Sequence, residues 1–202
     1  MKCFALTGGI ASGKSAVSTL LAKANIPIIN ADLLAREVVL PNSEGIRQIY
    51  EKFGPEFLNK SGGLDRKKMA DLVFSDADAR KNLENITHPL ISQKLRFQLN
   101  QLERQKVPYA IYEAPLIFEK GLQAFFAATI LVITQTPLQE ERLMKRDNIS
   151  IAEAQSRMKA QMQTAEKEKL THFVIDNSGT LAQTQEQLQR IWFQLTNDTL
   201  KC

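Results

Sequence analysis

The residues with the clearest chemistry lie near the amino end of the chain. Gly8-Gly9-Ile10-Ala11-Ser12-Gly13-Lys14-Ser15 fits G-x-x-x-x-G-K-[ST] at every fixed position. An apolar run precedes it and a helical pattern follows it, the setting this motif requires. Such a segment suits a triphosphate, whose oxygens need many N–H donors at close range. Glycines let the backbone approach without a Cβ in the way. The helix that starts there adds the positive end of its dipole. Lys14 is expected to reach the β- and γ-phosphates as a compact positive charge. Ser15 is expected to ligate Mg²⁺ through its hydroxyl. The loop alone means nucleotide binding, because ATPases, GTPases and kinases share it.

Other residues suggest what the nucleotide is used for. Ligands of open α/β sheets collect at the carboxyl ends of the strands. Asp32 lies just past the second predicted strand, where a carboxylate could accept a proton from an attacking hydroxyl. A first-turn helix carboxylate, or an i,i+4 ion pair with Arg36, explains Asp32 equally well. Glu113 ends the third predicted strand and could hold Mg²⁺ through water, or simply be a solvated carboxylate. Arg142 and Arg146 share one face of a predicted helix, and neither has an acidic residue three or four positions away. Like charges at that spacing are mildly unfavourable, and an external phosphate would relieve them. Two exposed arginines with no task is the alternative. No N-K-x-D element is present to read guanine. Asn177, after the fifth predicted strand, could contact a base or be a turn residue.

Positioning these groups requires a parallel sheet wrapped by helices. Strand-like runs at Cys3 to Leu6, Ile26 to Ile29, Tyr109 to Glu113, Thr129 to Thr134 and Phe173 to Ile175 alternate with helical patterns. Helices are expected from about Gly13 to Lys23 and from Asp32 to Leu40, the latter ending before Pro41. Residues of about 43–105 are helical and polar, too long for a simple crossover, and read as an inserted subdomain. Ser75 with Asp78 marks a helix start inside it. Thr136-Pro137-Leu138-Gln139 and Ser150-Ile151-Ala152-Glu153 read as capping boxes, giving two short helices after the fourth strand. Leu181, Leu188, Ile191, Trp192 and Leu195 form the core stripe of a last helix. The expected fold is a P-loop NTPase-type three-layer α/β/α domain with a five-stranded parallel sheet. Its core covers about 1–42, 106–135 and 170–202, with a helical lid over about 136–169.

Composition narrows the partners. The chain has 202 residues, 44% apolar and 24% charged, as ordinary globular domains do. No apolar run approaches the roughly 20 residues of a membrane span. Cys3 and Cys202 give neither a disulfide framework nor a metal-ligand spacing, so a cytoplasmic setting is the default. The net charge of +4 suits anionic small molecules. No basic stripe with interleaved aromatics argues for nucleic acid. A monomer is the default expectation.

The ordered set of motifs resembles the dephospho-CoA kinase family from Leu6 to about Gly179. Thr7 to Ser15 is similar to that family's phosphate loop. Asn30-Ala31-Asp32-Leu33-Leu34-Ala35-Arg36 resembles its D-A-D-x-x-x-R segment, with Asn30 replacing the first acid. Leu64-Asp65-Arg66, Val73-Phe74-Ser75-Asp76, Thr87-His88-Pro89-Leu90-Ile91 and Pro115-Leu116-Ile117-Phe118-Glu119 are similar to further family stretches. So are Gln161-Met162 and Val174 to Gly179. The resemblance implies transfer of the ATP γ-phosphate to the ribose 3′-hydroxyl of dephospho-CoA. It implies Asp32 as general base, with Lys14 and Arg142 also in the catalytic set. Arg36, His88 and Pro89 would contact the acceptor. Gly8, Gly9, Ala11, Ser12, Gly13, Lys14, Ser15, Ala16, Arg146 and Asn177 would bind ATP, Asn177 on the adenine side. The chain departs from the family at Thr171-His172, where Ala-Asp is usual, and at Ala16, where Thr is frequent.

Overall fold

A computed structural model describes residues 1–200; Cys202 lies outside them. The chain forms two compact units, Met1–Ile29 with the chain from Lys106 onward, and Asn30–Gln105.

The first unit holds the sheet. Its strands are β1 (Lys2–Gly8), β2 (Ile28–Asn30), β3 (Tyr109–Glu113), β4 (Ala128–Ile133) and β5 (Phe173–Asp176), in spatial order β2-β3-β1-β4-β5. β1 is central, pairs in parallel with β3 and β4, and is buried from Phe4 to Gly8. A parallel strand covered on both faces reads as this continuous apolar run, Phe4-Ala5-Leu6. Register puts Leu6 opposite Glu113 and Gly8 opposite Val132, so the phosphate loop leaves β1 level with the ends of its neighbours.

Two helices pack together into one core cluster against the sheet. Helix α1 (Lys14–Lys23) sends Val17, Leu20 and Leu21 into the core. In the chain order of the whole protein, the last helix, α9 (Leu181–Thr196), adds Leu188, Ile191 and Trp192 to the same cluster. Trp192 packs edge-on against Phe4 at 5.9 Å and Tyr109 at 5.4 Å. Leu181 departs from the expected stripe: it is 56% exposed, because it sits at the first helical position, and Thr184 turns inward instead.

Between β4 and β5 run α6 (Thr136–Asp147), α7 (Ile151–Lys159) and α8 (Thr164–Leu170). The Ser150–Glu153 capping box forms as expected. The one at Thr136 does not, because the helix is capped one residue earlier, at Gln135, and the Gln139 side chain is used elsewhere. Sequence reading missed α8, since Thr164 to Leu170 carries no apolar stripe. What it buries is the Lys167 side chain, 2% exposed and 2.8 Å from Glu119, an ion pair by distance rather than by hydrogen-bond alignment.

The second unit is helical: α2 (Ala31–Glu37), α3 (Glu44–Phe53), α4 (Arg66–Ser75) and α5 (Ala77–Arg104). Val38, Val39, Ile46, Ile49 and Met69 form its core, with Leu83, Ile86, Leu90 and Ile91 packed against it. One expectation shifts here. Asp76, not Ser75, caps α5, accepting bonds from the Asp78 and Ala79 amides. Pro89 lies inside α5. α5 runs through it for 28 residues. Proline costs one backbone bond, and core contacts from Ile86, Leu90 and Ile91 on either side hold the helix together.

Candidate active site

The loop from Gly8 to Ser15 is built for close approach. Gly13 has φ +91°, the left-handed region, and is the residue before α1. A Cβ there would strike the Asn177 amide. A Cβ on Gly8 would strike the Val132 carbonyl. Ala11 is also left-handed, φ 56°. The Ser12 amide donates to Gly9 O at 3.2 Å, tightening the turn. Lys14 Nζ donates to Gly8 O at 2.9 Å and Gly9 O at 3.4 Å, curling back over the loop. The buried Ser12 hydroxyl has no partner inside the protein, an orphaned polar atom in a segment that expects an anion.

Three groups from elsewhere in this unit brace the loop. Asn177 Nδ2 donates to Ser12 O at 3.1 Å, and Asn177 Oδ1 accepts from Thr184 Oγ1 at 3.0 Å. The amide nitrogen and the amide oxygen of that buried side chain each bond a protein group, which gives Asn177 a bracing role on the phosphate loop. Arg142 donates to Asn177 O at 3.3 Å, which places its guanidinium beside the same turn. From α6, Gln139 Nε2 donates to Ile10 O at 2.5 Å. From the α7–α8 linker, Gln161 Oε1 accepts from Ile10 N at 2.8 Å. Thr184 and Gln139 were missed by sequence reasoning. A glutamine inside an apparent capping box, and a threonine in an apolar helix stripe, carry no signal of a long-range partner.

Arg146 is placed differently from Arg142. It makes a bidentate pair with Asp147, at 2.7 and 3.1 Å, and Arg157 joins the same carboxylate at 2.8 Å. The Arg146 guanidinium beside Asp147 holds that carboxyl below its usual range. Helical i,i+3 and i,i+4 spacing does not include this counter-ion, which is the next residue in the chain. The like-charge penalty is therefore met within the lid and no longer argues for an external phosphate at Arg146.

Glu113 accepts from Ser18 Oγ at 2.9 Å, one α1 turn beyond the exposed Ser15 hydroxyl. Oxygen donors of this kind fit Mg²⁺, which takes one or two protein oxygens and completes its shell with phosphates and water. Among the described residues no three His, Cys, Asp or Glu side chains group as a metal cage would.

In the helical unit, Asn30 caps α2 by accepting from Leu33 N at 3.0 Å. Asp32 is in the first turn, exposed, and not needed as the cap. Among the described residues Asp32 and Arg36 form no ion pair with each other, so that alternative falls away. His88 and Pro89 are exposed on α5. The Thr171-His172 departure is absorbed locally: His172 N donates to Thr129 Oγ1 at 3.1 Å, and Thr171 Oγ1 donates to Thr129 O at 3.1 Å.

A five-stranded parallel sheet with this loop after β1, and an arginine from the helix after β4 bonded to the asparagine that braces the loop, defines a P-loop kinase. Comparison with known proteins is specific. Residues 2–183 match the dephospho-CoA kinase family. A dephospho-CoA kinase of Oceanobacillus iheyensis is 41% identical over 92% of this chain and 94% of its own. One of Geobacter sulfurreducens is 41% identical over 95% and 98%. Among solved structures, a Thermus thermophilus protein superposes with TM-score 0.84 at 34% identity, over 96% of this chain and 98% of that one. Dephospho-CoA kinase from Campylobacter jejuni gives 0.73 at 30%, over 98% of each. A shikimate kinase of Acinetobacter baumannii, at 0.53 and 14%, shares the fold alone. The chain belongs to the dephospho-CoA kinase family.

Proposed function

We propose a division of labour for the reaction that family membership assigns to this chain, ATP-dependent phosphorylation of dephospho-CoA, the final step of coenzyme A synthesis. The observation that carries it is the loop at Gly8–Ser15, with Gly13 left-handed and Lys14 folded over the loop's own carbonyls. Its amides and Lys14 hold the ATP phosphates. Ser15, with Glu113 through water, would hold Mg²⁺, whose charge would offset the charge developing during phosphoryl transfer. Asp32 takes the proton from the ribose 3′-hydroxyl as its oxygen attacks the γ-phosphorus and the bond to the ADP oxygen breaks. Arg36, His88 and Pro89 bind the acceptor within the helical unit. Residues 136–169 act as a lid that excludes water. The proposed setting is a cytoplasmic monomer with no nucleic-acid partner; among the described residues no helix is long and apolar enough to cross a membrane.

Two arginines give this reading a quantitative test. Arg142 already lies beside the loop, whereas Arg146 must first exchange Asp147 for phosphate. Arg142→Ala is expected to lower kcat about 10²-fold, within the range for loss of a positioned charge donor. Arg146→Ala is expected to cost about tenfold or less, because its counter-ion competes. Steady-state ADP release, measured with dephospho-CoA against a panel of nucleoside monophosphates and sugar acids, reads both effects and the acceptor. Unchanged kinetics for both variants at an unchanged Tm contradict the lid roles. ADP release indifferent to dephospho-CoA contradicts the acceptor.

A further inference from the structure

We propose that Gln139 and Gln161 are positioning residues that decide which amides of the phosphate loop face the nucleotide. The inference rests on reading Gly8–Ser15 as the nucleotide site. Ile10 is held on both sides by side chains more than a hundred residues away in sequence: Gln161 Oε1 accepts its N–H at 2.8 Å, and Gln139 Nε2 donates to its carbonyl at 2.5 Å. The assignment of each amide end is forced, since an N–H needs an acceptor and a carbonyl needs a donor.

The consequence follows from peptide geometry. In a trans peptide the carbonyl and the following N–H point in opposite directions, and no cis bond occurs among the described residues. Fixing the Ile10 carbonyl toward Gln139 therefore fixes the Ala11 N–H the other way. Ala11 is left-handed, φ 56°, a conformation an alanine adopts at a cost of about 1–2 kcal/mol. Something must hold it, and the Gln139 bond is placed to do so. Gln161, by taking the Ile10 N–H, withdraws that donor from the anion. The loop's donor set is thus chosen by two glutamines rather than by the loop alone.

Both glutamines are themselves anchored. Gln139 is 8% exposed and lies against Gly9. The residue after Gln161, Met162, donates its N–H to Glu119 Oε1 at 3.3 Å, and the same oxygen is 2.8 Å from buried Lys167 Nζ. Only the lysine of this pair is buried, and its contact ties α8 to the Glu119 side chain. Here it pins the linker that carries Gln161.

A matched pair of substitutions tests this. Gln161→Glu keeps an acceptor for the Ile10 N–H, whereas Gln139→Glu replaces the donor to Ile10 O with a second acceptor. Both add one negative charge beside the same peptide, so the charge penalty is common to the two. ATP binding by titration calorimetry needs no acceptor, so failure here is distinct from failure of the phosphorylation reading. Gln161→Glu is expected to bind ATP at least tenfold more tightly than Gln139→Glu, with both melting within a few degrees of the unsubstituted protein. Equal losses, or the reverse order, overturn the proposal. If Gln139→Glu does not fold, Gln139→Met, of similar volume and without a donor, takes its place. That variant is expected to weaken ATP binding at least fivefold at an unchanged Tm. Unchanged binding, or a loss matched by a fall in Tm, overturns the proposal.

Discussion

Asp32→Asn slows phosphoryl transfer by about 10²–10⁴ and leaves ATP affinity within about threefold, as loss of a general base should. The substitution keeps shape and removes only the group that accepts a proton. Little else depends on that carboxylate. Asn30, not Asp32, caps α2, and Asp32 is exposed with no ion pair to Arg36 among the described residues. The fold should therefore tolerate the change, at a cost of a few tenths of a kcal/mol from the lost first-turn charge. A transition-state loss of about 3–5 kcal/mol, by contrast, is the size expected of a lost proton acceptor. Single-turnover rates and the ATP dissociation constant separate the two. Turnover within about threefold of the unsubstituted protein removes Asp32 from the base role.

Gly13→Ala is the second large effect and acts on the donor side. It is expected to weaken ATP binding by at least 10²-fold and to lower Tm by several degrees. Two costs combine at this residue. A Cβ at φ +91° is strained by about 1–2 kcal/mol. It also meets the Asn177 amide, which is buried and held at both ends by Ser12 O and Thr184 Oγ1. That amide cannot swing aside without leaving buried polar groups unpaired, each about 1–3 kcal/mol. The loop must move instead, and its N–H groups move with it. An intermediate variant, Asn177→Ala, removes the obstacle. In the Asn177→Ala background, Gly13→Ala should cost less than it does alone, a non-additivity expected of groups in contact. Full additivity in calorimetric titrations with ATP contradicts the bracing role of Asn177.

The sequence made local chemistry legible and long-range support invisible. The phosphate loop, the five parallel strands and the Ser150 cap depend on residues a few positions apart, and each was readable from spacing. β3 was placed at its observed ends, Tyr109 and Glu113. Where the reading failed, a tertiary partner decided the outcome. Gln139 looked like half of a capping box and instead reaches Ile10. The bond from Asn177 to Ser12 O, 165 residues apart in sequence, has no signal in spacing. Arg146 is the local exception: helical spacing overlooks its partner, the adjacent Asp147. Helix α8 escaped notice because its buried side chain is a lysine, whose pairing with Glu119 no periodicity announces.

The central claim is that a grip on the ATP phosphates is coupled to attack by one particular alcohol. Mass spectrometry of dephospho-CoA incubated with the protein, ATP and Mg²⁺ tests this most directly. Gain of one phosphoryl group by the acceptor, with one ADP formed per group transferred, is the predicted result. Formation of ADP while the acceptor mass stays unchanged contradicts it, since the bound phosphate would then be passing to water.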